Sequence, residues 1–207
     1  MKKKICIMTK SLKDKDYCVA GIDMETGEWV RLVSSKDGDS CPKEFLDDSK
    51  VNVLDVIEVG FKYHAPYKTQ KENWLIDESI LPKKLGTKTI EQVMKIRLSS
   101  ASPYVFGNDK NALSTDDVKN LNHSLEIIEA TKLSFDTSLK GDGRHHYKIH
   151  FTYKGNQYHL SLTDPKFRVE GIDSWIIPKA IIVVSIPSEP YGESELFYKF
   201  AAKVFVR

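Results

Sequence analysis

Residues 145–163 alternate apolar and polar side chains with a period of two. Tyr147, Ile149, Phe151 and Tyr153 fall on one side of an extended chain. His146, Lys148, His150, Thr152 and Lys154 fall on the other. After Gly155-Asn156 the alternation resumes, with Tyr158, Leu160 and Leu162 against Gln157, His159 and Ser161. An amphipathic helix needs a period near 3.6, so this pattern predicts a β-hairpin with one buried face. Gly-Asn at its centre suits a two-residue II′ turn. That turn would set Lys154 opposite Gln157, Thr152 opposite His159 and His150 opposite Ser161.

The rest of the chain reads in the same way. Residues 5–9 predict a first strand. Residues 17–23 and 29–34 predict a hairpin around Met24-Glu25-Thr26-Gly27, with Gly27 supplying a positive φ. Residues 53–62 and 74–77 predict two more strands. One helix is expected over 88–98, where Ile90, Val93, Met94 and Arg97 share a face and Thr87 or Thr89 can cap the start. The second half predicts strands at 125–133 and 180–186, a loop over 134–144, and a last strand at 196–206. A helix is the alternative for that last run, given Ala201-Ala202.

The chain is therefore expected to be all-β with one or two short helices. About five strands in each half suggest two tandem five-stranded OB-like barrels. An SH3-like barrel also satisfies the count, as does a single ten-strand sandwich. The polar stretch 108–124 favours two units: 1–110, with the helix appended, and 120–207.

The formal net charge of +2 is too small to imply nucleic-acid binding by itself, so any basic footprint must be local. Cys6, Cys18 and Cys41 are odd in number and form no CxxC, which argues against a disulfide framework or zinc ribbon. A cytoplasmic, reducing location is expected. No apolar run approaches a membrane span, and 5–8 is too short for a signal-peptide core.

Three groups of residues are candidate sites. Trp29 and Arg31 lie two apart and share a sheet face, a usual way to hold a base and its phosphate, and equally a common way to cover a sheet. Tyr67, Gln70, Glu72 and Asn73 form a dense hydrogen-bonding cluster that could read a base edge or simply close a turn. The polar face of the second hairpin, with His146, Lys148, His150, Lys154 and His159, carries no carboxylate until Asp164. It is either an oligonucleotide face or a solvated one. A metal on His146, His150 and His159 would lack an acidic or thiol ligand, and no metal or cofactor is expected. No phosphate loop, HExxH, GxSxG or deaminase motif occurs. Asp14, Asp16, Asp55, Glu58 and Glu72 could form a metal nuclease on paper, but without distinctive spacing, so no catalytic residues are assigned.

Three stretches together resemble the dual OB-containing domain family, a set of bacterial proteins. They are residues 18–33 with Gly27-Glu-Trp-Val-Arg31, then Gln70-Lys-Glu-Asn73, and the late Val184-Ser-Ile-Pro-Ser-Glu-Pro-Tyr191. The resemblance runs nearly end to end. It implies two OB barrels and a nucleic-acid- or nucleotide-binding role. The expected function is a non-catalytic module that engages single-stranded DNA or RNA. The rival is a sensor of a nucleotide or modified base through Gln70, Glu72 and Asn73. A protein-interaction scaffold is a third reading.

Overall fold

The structure, a computed structural model, describes residues 1–207 apart from Asp14, Lys140, Asp142, Arg144 and Glu170 and the side chain of Lys13. The chain forms two compact units. The first holds Met1–Leu98 and Asn122–Ser124; the second holds Ser99–Leu121 and Leu125–Arg207. Most of the stretch read as a boundary thus belongs to the second unit. Asp14, one of the acids in the nuclease alternative, lies outside the described residues, as does part of the 134–144 segment.

The first unit contains β1 (Lys2–Lys13), β2 (Asp16–Asp23), β3 (Trp29–Val33), α1 (Lys43–Asp47), β4 (Asp55–His64), β5 (Asn73–Ile76), β6 (Lys83–Thr87) and α2 (Ile90–Met94). The strands neighbour one another in the order β1-β2-β3-β5-β4-β6. β1 also pairs with β4, from Lys2↔Gly60 to Cys6↔Val56, which closes the first five strands into a ring. β3 and β5 are parallel, and the other pairs are antiparallel. This is the OB strand order, with α1 between the third and fourth strands. Alternation sends Ile5, Ile7, Val30, Leu32, Ile57, Val59 and Phe61 into the core with Phe45 and Leu46 of α1. At Gly21 the first two strands come so close that a Cβ would sit 2.3 Å from the Cys6 carbonyl oxygen. Gly27 takes φ +72° and donates its N–H to Asp23 O, closing the connection as predicted.

Two elements differ from expectation. The helix spans Ile90–Met94 and not 88–98. Thr89 and Gln92 form a capping box, and Ile90 and Val93 are buried. Beyond Met94 the apolar residues find no core: Ile96 is 36% and Leu98 77% exposed. β6 escaped sequence reading because all five of its residues are exposed and carry no alternation.

Asp55 and Asp23 anchor this barrel. Asp55 accepts from Lys84 Nζ at 2.7 Å, the Asn52 N–H at 2.9 Å and Thr87 Oγ1 at 2.8 Å. Asp23 accepts from Lys3 Nζ at 2.7 Å and the Glu25 N–H at 3.0 Å. Burial alone would raise both carboxyls, but these donors outweigh it and hold both below the ordinary 3.8. A depressed carboxylate stabilises the fold above its unfolded value and loses that contribution as pH falls. The urea midpoint is expected to drop as pH falls below about 4. An Asp55→Asn variant should show a shallower drop; an identical slope would remove Asp55 as a source.

The second unit contains β7 (Ala112–Leu113), α3 (Thr115–Val118), β8 (Leu125–Leu139), β9 (His145–Tyr153), β10 (Asn156–Leu162), β11 (Ile176–Ser185), β12 (Phe197–Tyr198) and β13 (Phe200–Val206). The closed barrel runs β10-β13-β11-β8-β9, with β10 and β13 parallel. Its core takes Leu133 and Phe135 of β8, Ile149, Phe151 and Tyr153 of β9, and Tyr158, Leu160 and Leu162 of β10. β8 continues past the expected end at 133 because Phe135 keeps the alternation and stacks on Phe167 at 5.4 Å. The final run is strand and not helix, broken at Lys199 between β12 and β13.

The hairpin forms, but its turn is shifted by one residue. Lys154 and Gly155 occupy the loop with φ +47° and +88°, as a type I′ turn requires. Asn156 joins β10 opposite Tyr153. The pairs are therefore Thr152–Gln157, His150–His159 and Lys148–Ser161. Every partner differs from expectation, yet each side chain keeps its face, because the register moves by two residues. Lys154 accepts the left-handed position with its ammonium bonded to Ala101 O at 2.7 Å and Ser100 O at 3.3 Å.

Candidate functional site

Trp29 and Arg31 do share the outer face of β3, but neither is exposed. Trp29 is 3% and Arg31 8% accessible. The first unit covers this face with its own chain. Arg97 sits over the Trp29 ring at 5.5 Å and donates to Gly27 O at 2.8 Å. Arg31 Nε donates to Glu72 Oε1 at 3.1 Å, and its Nη2 donates to Ser124 Oγ at 2.8 Å. Ser124 closes the triad: its N–H donates to Glu72 Oε2 at 3.0 Å and its hydroxyl to Glu72 Oε1. The face that OB barrels commonly offer to oligonucleotides is filled here by internal contacts.

The Gln70 cluster also points inward. Tyr67 and Gln70 exchange backbone hydrogen bonds across a tight turn, with Lys68 at φ +50°. Asn73 is fully buried and donates from Nδ2 to Gln70 Oε1 at 3.4 Å. A Cβ on Gly38 would lie 3.2 Å from the Tyr67 ring and 3.3 Å from Asn73 Nδ2. Glu72 is committed to Arg31 and Ser124. Among the described residues, Trp29 Nε1 and Asn73 Oδ1 are buried without a hydrogen-bond partner.

In the second barrel, the outer face of β9 and β10 is less basic than its own sequence suggests. β8 brings Asp136 opposite Lys148, and His150 Nε2 lies 2.6 Å from Asp136 Oδ2. The His150 and His159 rings approach to 4.2 Å. The His159 N–H donates to Asn111 Oδ1 at 3.0 Å. His146 Nε2 bonds Ser161 Oγ at 2.9 Å. Lys154 is spent on carbonyl oxygens. The carboxylate-free character holds within the hairpin and fails across the sheet, because β8 runs past the expected end at 133 and brings Asp136 onto that face.

A cavity of about 760 Å³ opens where β9 begins, β10 ends and β13 begins. Tyr147, Tyr191, Tyr198 and Phe200 supply aromatic walls. His145, His146 and Arg168 supply cationic or titratable nitrogens, and Ser161 and Thr163 supply hydroxyls. The lining includes no carboxylate among the described residues. The Arg168 guanidinium sits over the Tyr147 ring at 5.5 Å. Tyr191 and Tyr198 meet edge to face at 6.1 Å, and Tyr191 is 72% exposed. Of the sequence candidates only His146 lies here. Arg168 and Tyr191 escaped notice because they come from irregular segments, which carry no periodicity; Tyr198 lies on the short strand β12, whose partner β7 the sequence did not reveal.

The family model described as the dual OB-containing domain matches residues 3–204. The chain belongs to that family. This dual OB-containing domain has no match among curated proteins. Among solved structures it is similar to the p204 HINb domain, at 5% identity and TM-score 0.42 over 100% of this chain and 97% of that one. It is also similar to a murine DNA binding protein bound with double-stranded DNA, at 7% identity and TM-score 0.38 over 100% of each chain. The Ifi202 HINa domain in complex with 20-bp double-stranded DNA matches at 9% identity and TM-score 0.37, over 100% of this chain and 95% of that one. No helix among the described residues of the dual OB-containing domain is long and apolar enough to cross a membrane.

Proposed function

We propose that this protein binds single-stranded nucleic acid without catalysis, through the cavity of the second barrel and the adjoining face of β9 and β10. The carrying observation is a cavity walled by Tyr147, Tyr191 and Tyr198, provided with Arg168, and free of carboxylates among its described lining residues. Aromatic rings accept stacked bases of any sequence, and an arginine without a carboxylate partner is suited to a phosphate. Lys148, His150 and His159 extend the path along the sheet. The first barrel's Trp29, Arg31, Gln70, Glu72 and Asn73 serve its own packing in this reading.

The test is fluorescence anisotropy with labelled single-stranded DNA, single-stranded RNA and duplex DNA, each at low and physiological salt. A single-strand response that falls steeply with salt is expected. Tyr191→Ala, at an exposed ring, should weaken binding by roughly five- to a hundredfold, the loss of one stacked base. A flat response to all three probes at tens of micromolar overturns the reading.

The cavity volume also favours a second reading, since about 760 Å³ lies within the span of small-molecule pockets. A nucleotide would then be the whole ligand. Mononucleotides that raise the melting temperature as much as oligonucleotides do would select it.

A further inference from the structure

The first barrel carries a lysine cluster that its fold does not use. Strand register sets Lys4 of β1, Glu58 of β4 and Lys83 of β6 side by side in one row. Residues in lateral register share a face, so all three point the same way. Lys2 lies two residues from Lys4 on that face, and Lys62 lies four residues along β4 from Glu58. Lys2 Nζ bonds Glu58 Oε1 at 2.8 Å. The hydrogen bond from Lys2, with the fields of Lys2, Lys83 and Lys4 behind it, holds the Glu58 carboxyl below its usual range. Asp77 also reaches this side of β4, where a Cβ on Gly60 would lie 3.7 Å from its Cβ. A hydrogen bond from Ser79, with the field of Lys62 behind it, holds its carboxyl below the usual range. Two carboxylates, Glu58 and Asp77, thus meet Lys2, Lys4, Lys62 and Lys83. Lys4, Lys62 and Lys83 are exposed and have no hydrogen-bond or ion-pair partner among the described residues.

We infer that the outer face of β1, β4 and β6 is a second contact surface, which binds the phosphate backbone of a nucleic acid through Lys4, Lys62 and Lys83. The inference rests on the nucleic-acid reading of the second barrel and extends it to the first. Charge complementarity selects the occupant. Lysine is depleted in the cores of protein–protein interfaces, whereas flexible ammonium groups on an open sheet suit a chain of phosphates. The face is built from strand residues, with Ile80 and Asp77 packed over Gly60, and its lysines would contact phosphates without reading bases. It also lies apart from β3, the strand whose outer face is covered in this barrel.

The test combines Lys4→Gln, Lys62→Gln and Lys83→Gln in the full chain. All three side chains are exposed and make no hydrogen bond or ion pair among the described residues, so the variant should keep its circular dichroism spectrum and melting temperature. The probes are a labelled dT20 oligonucleotide and inorganic polyphosphate. The triple variant should lower the dT20 salt slope by about 2, at about 0.7 per phosphate contact on a single strand, and weaken polyphosphate binding in parallel. Tyr191→Ala should weaken dT20 and leave polyphosphate unchanged. If dT20 binds and responds to Tyr191→Ala but the lysine triple changes nothing, the second surface falls and the cavity reading stands. If dT20 ignores Tyr191→Ala while both probes respond to the lysines, the surface stands and the cavity reading falls. Equal binding of poly-glutamate, or no binding of either probe, overturns the phosphate assignment.

Discussion

Arg31→Ala is expected to cost the first unit about 3–5 kcal/mol, the usual penalty for removing one partner of a buried ion pair. The substitution leaves the Glu72 carboxylate in a site where Glu72 is 4% accessible, with Ser124 as its remaining donor. Glu72→Gln should cost a comparable amount, because it strands the guanidinium. The penalty belongs to the unpaired charge and not to the pair. An apolar replacement of both, Arg31→Met with Glu72→Leu, should therefore recover much of the loss. Urea denaturation of the wild type, Arg31→Met, Glu72→Leu and Arg31→Met/Glu72→Leu forms a double-mutant cycle that isolates the coupling. A single-variant cost below about 1 kcal/mol would mean that water reaches the pair, since exposed pairs are worth that little. The same proteins bear on function. If Arg31 and Glu72 only hold the barrel together, native Arg31→Met/Glu72→Leu protein should bind dT20 as the wild type does.

This pair also shows how far sequence reading goes. Alternation located both hairpins, because a buried face forces apolar residues to every second position and the pattern survives in the chain. It could not say what covers the outer face. Trp29 and Arg31 have the residue types of a base-and-phosphate grip, yet Arg97 and Ser124, distant in sequence, close over them. Gly27-Glu-Trp-Val-Arg31 and Gln70-Lys-Glu-Asn73 marked the family well because they meet in space: Arg31 pairs with Asn73 across β3 and β5 and with Glu72 by charge. That is packing information read as site information. The cavity was nearly illegible for the opposite reason. Arg168 and Tyr191 come from connections whose conformation depends on tertiary contacts, and Tyr198 from a two-residue strand paired with β7. Asp136 stayed hidden because it sits where β8 was expected to have ended.

Lys199→Met should cost the second unit about 3 kcal/mol or more. Lys199 is 1% accessible, and its ammonium donates to Val105 O at 2.6 Å, Lys110 O at 2.7 Å, Asn108 Oδ1 at 2.7 Å and Asn108 O at 3.0 Å. It works as an internal cation for the 105–110 segment, where Phe106 has φ +50° and Gly107 φ +81°. Methionine fills a similar volume but donates nothing. Each buried carbonyl left unsatisfied costs about 1–3 kcal/mol, less where water can enter. A loss of about 3 kcal/mol lowers the melting temperature by roughly 6–12 °C for a chain of this size. The pH dependence carries a second sign. Burial pushes Lys199 down from 10.5 to about 8, against the raising influence of Glu126, Asp117 and Asp109. A base whose folded value is depressed releases its proton in the folded state first, so its contribution to stability grows as pH climbs between those values. The stability gap between wild type and Lys199→Met should therefore widen from about pH 8 towards 10.5. A gap that stays flat over that range and narrows above about 10.5 would mean that the carbonyl cage holds the ammonium charged more tightly than burial opposes it.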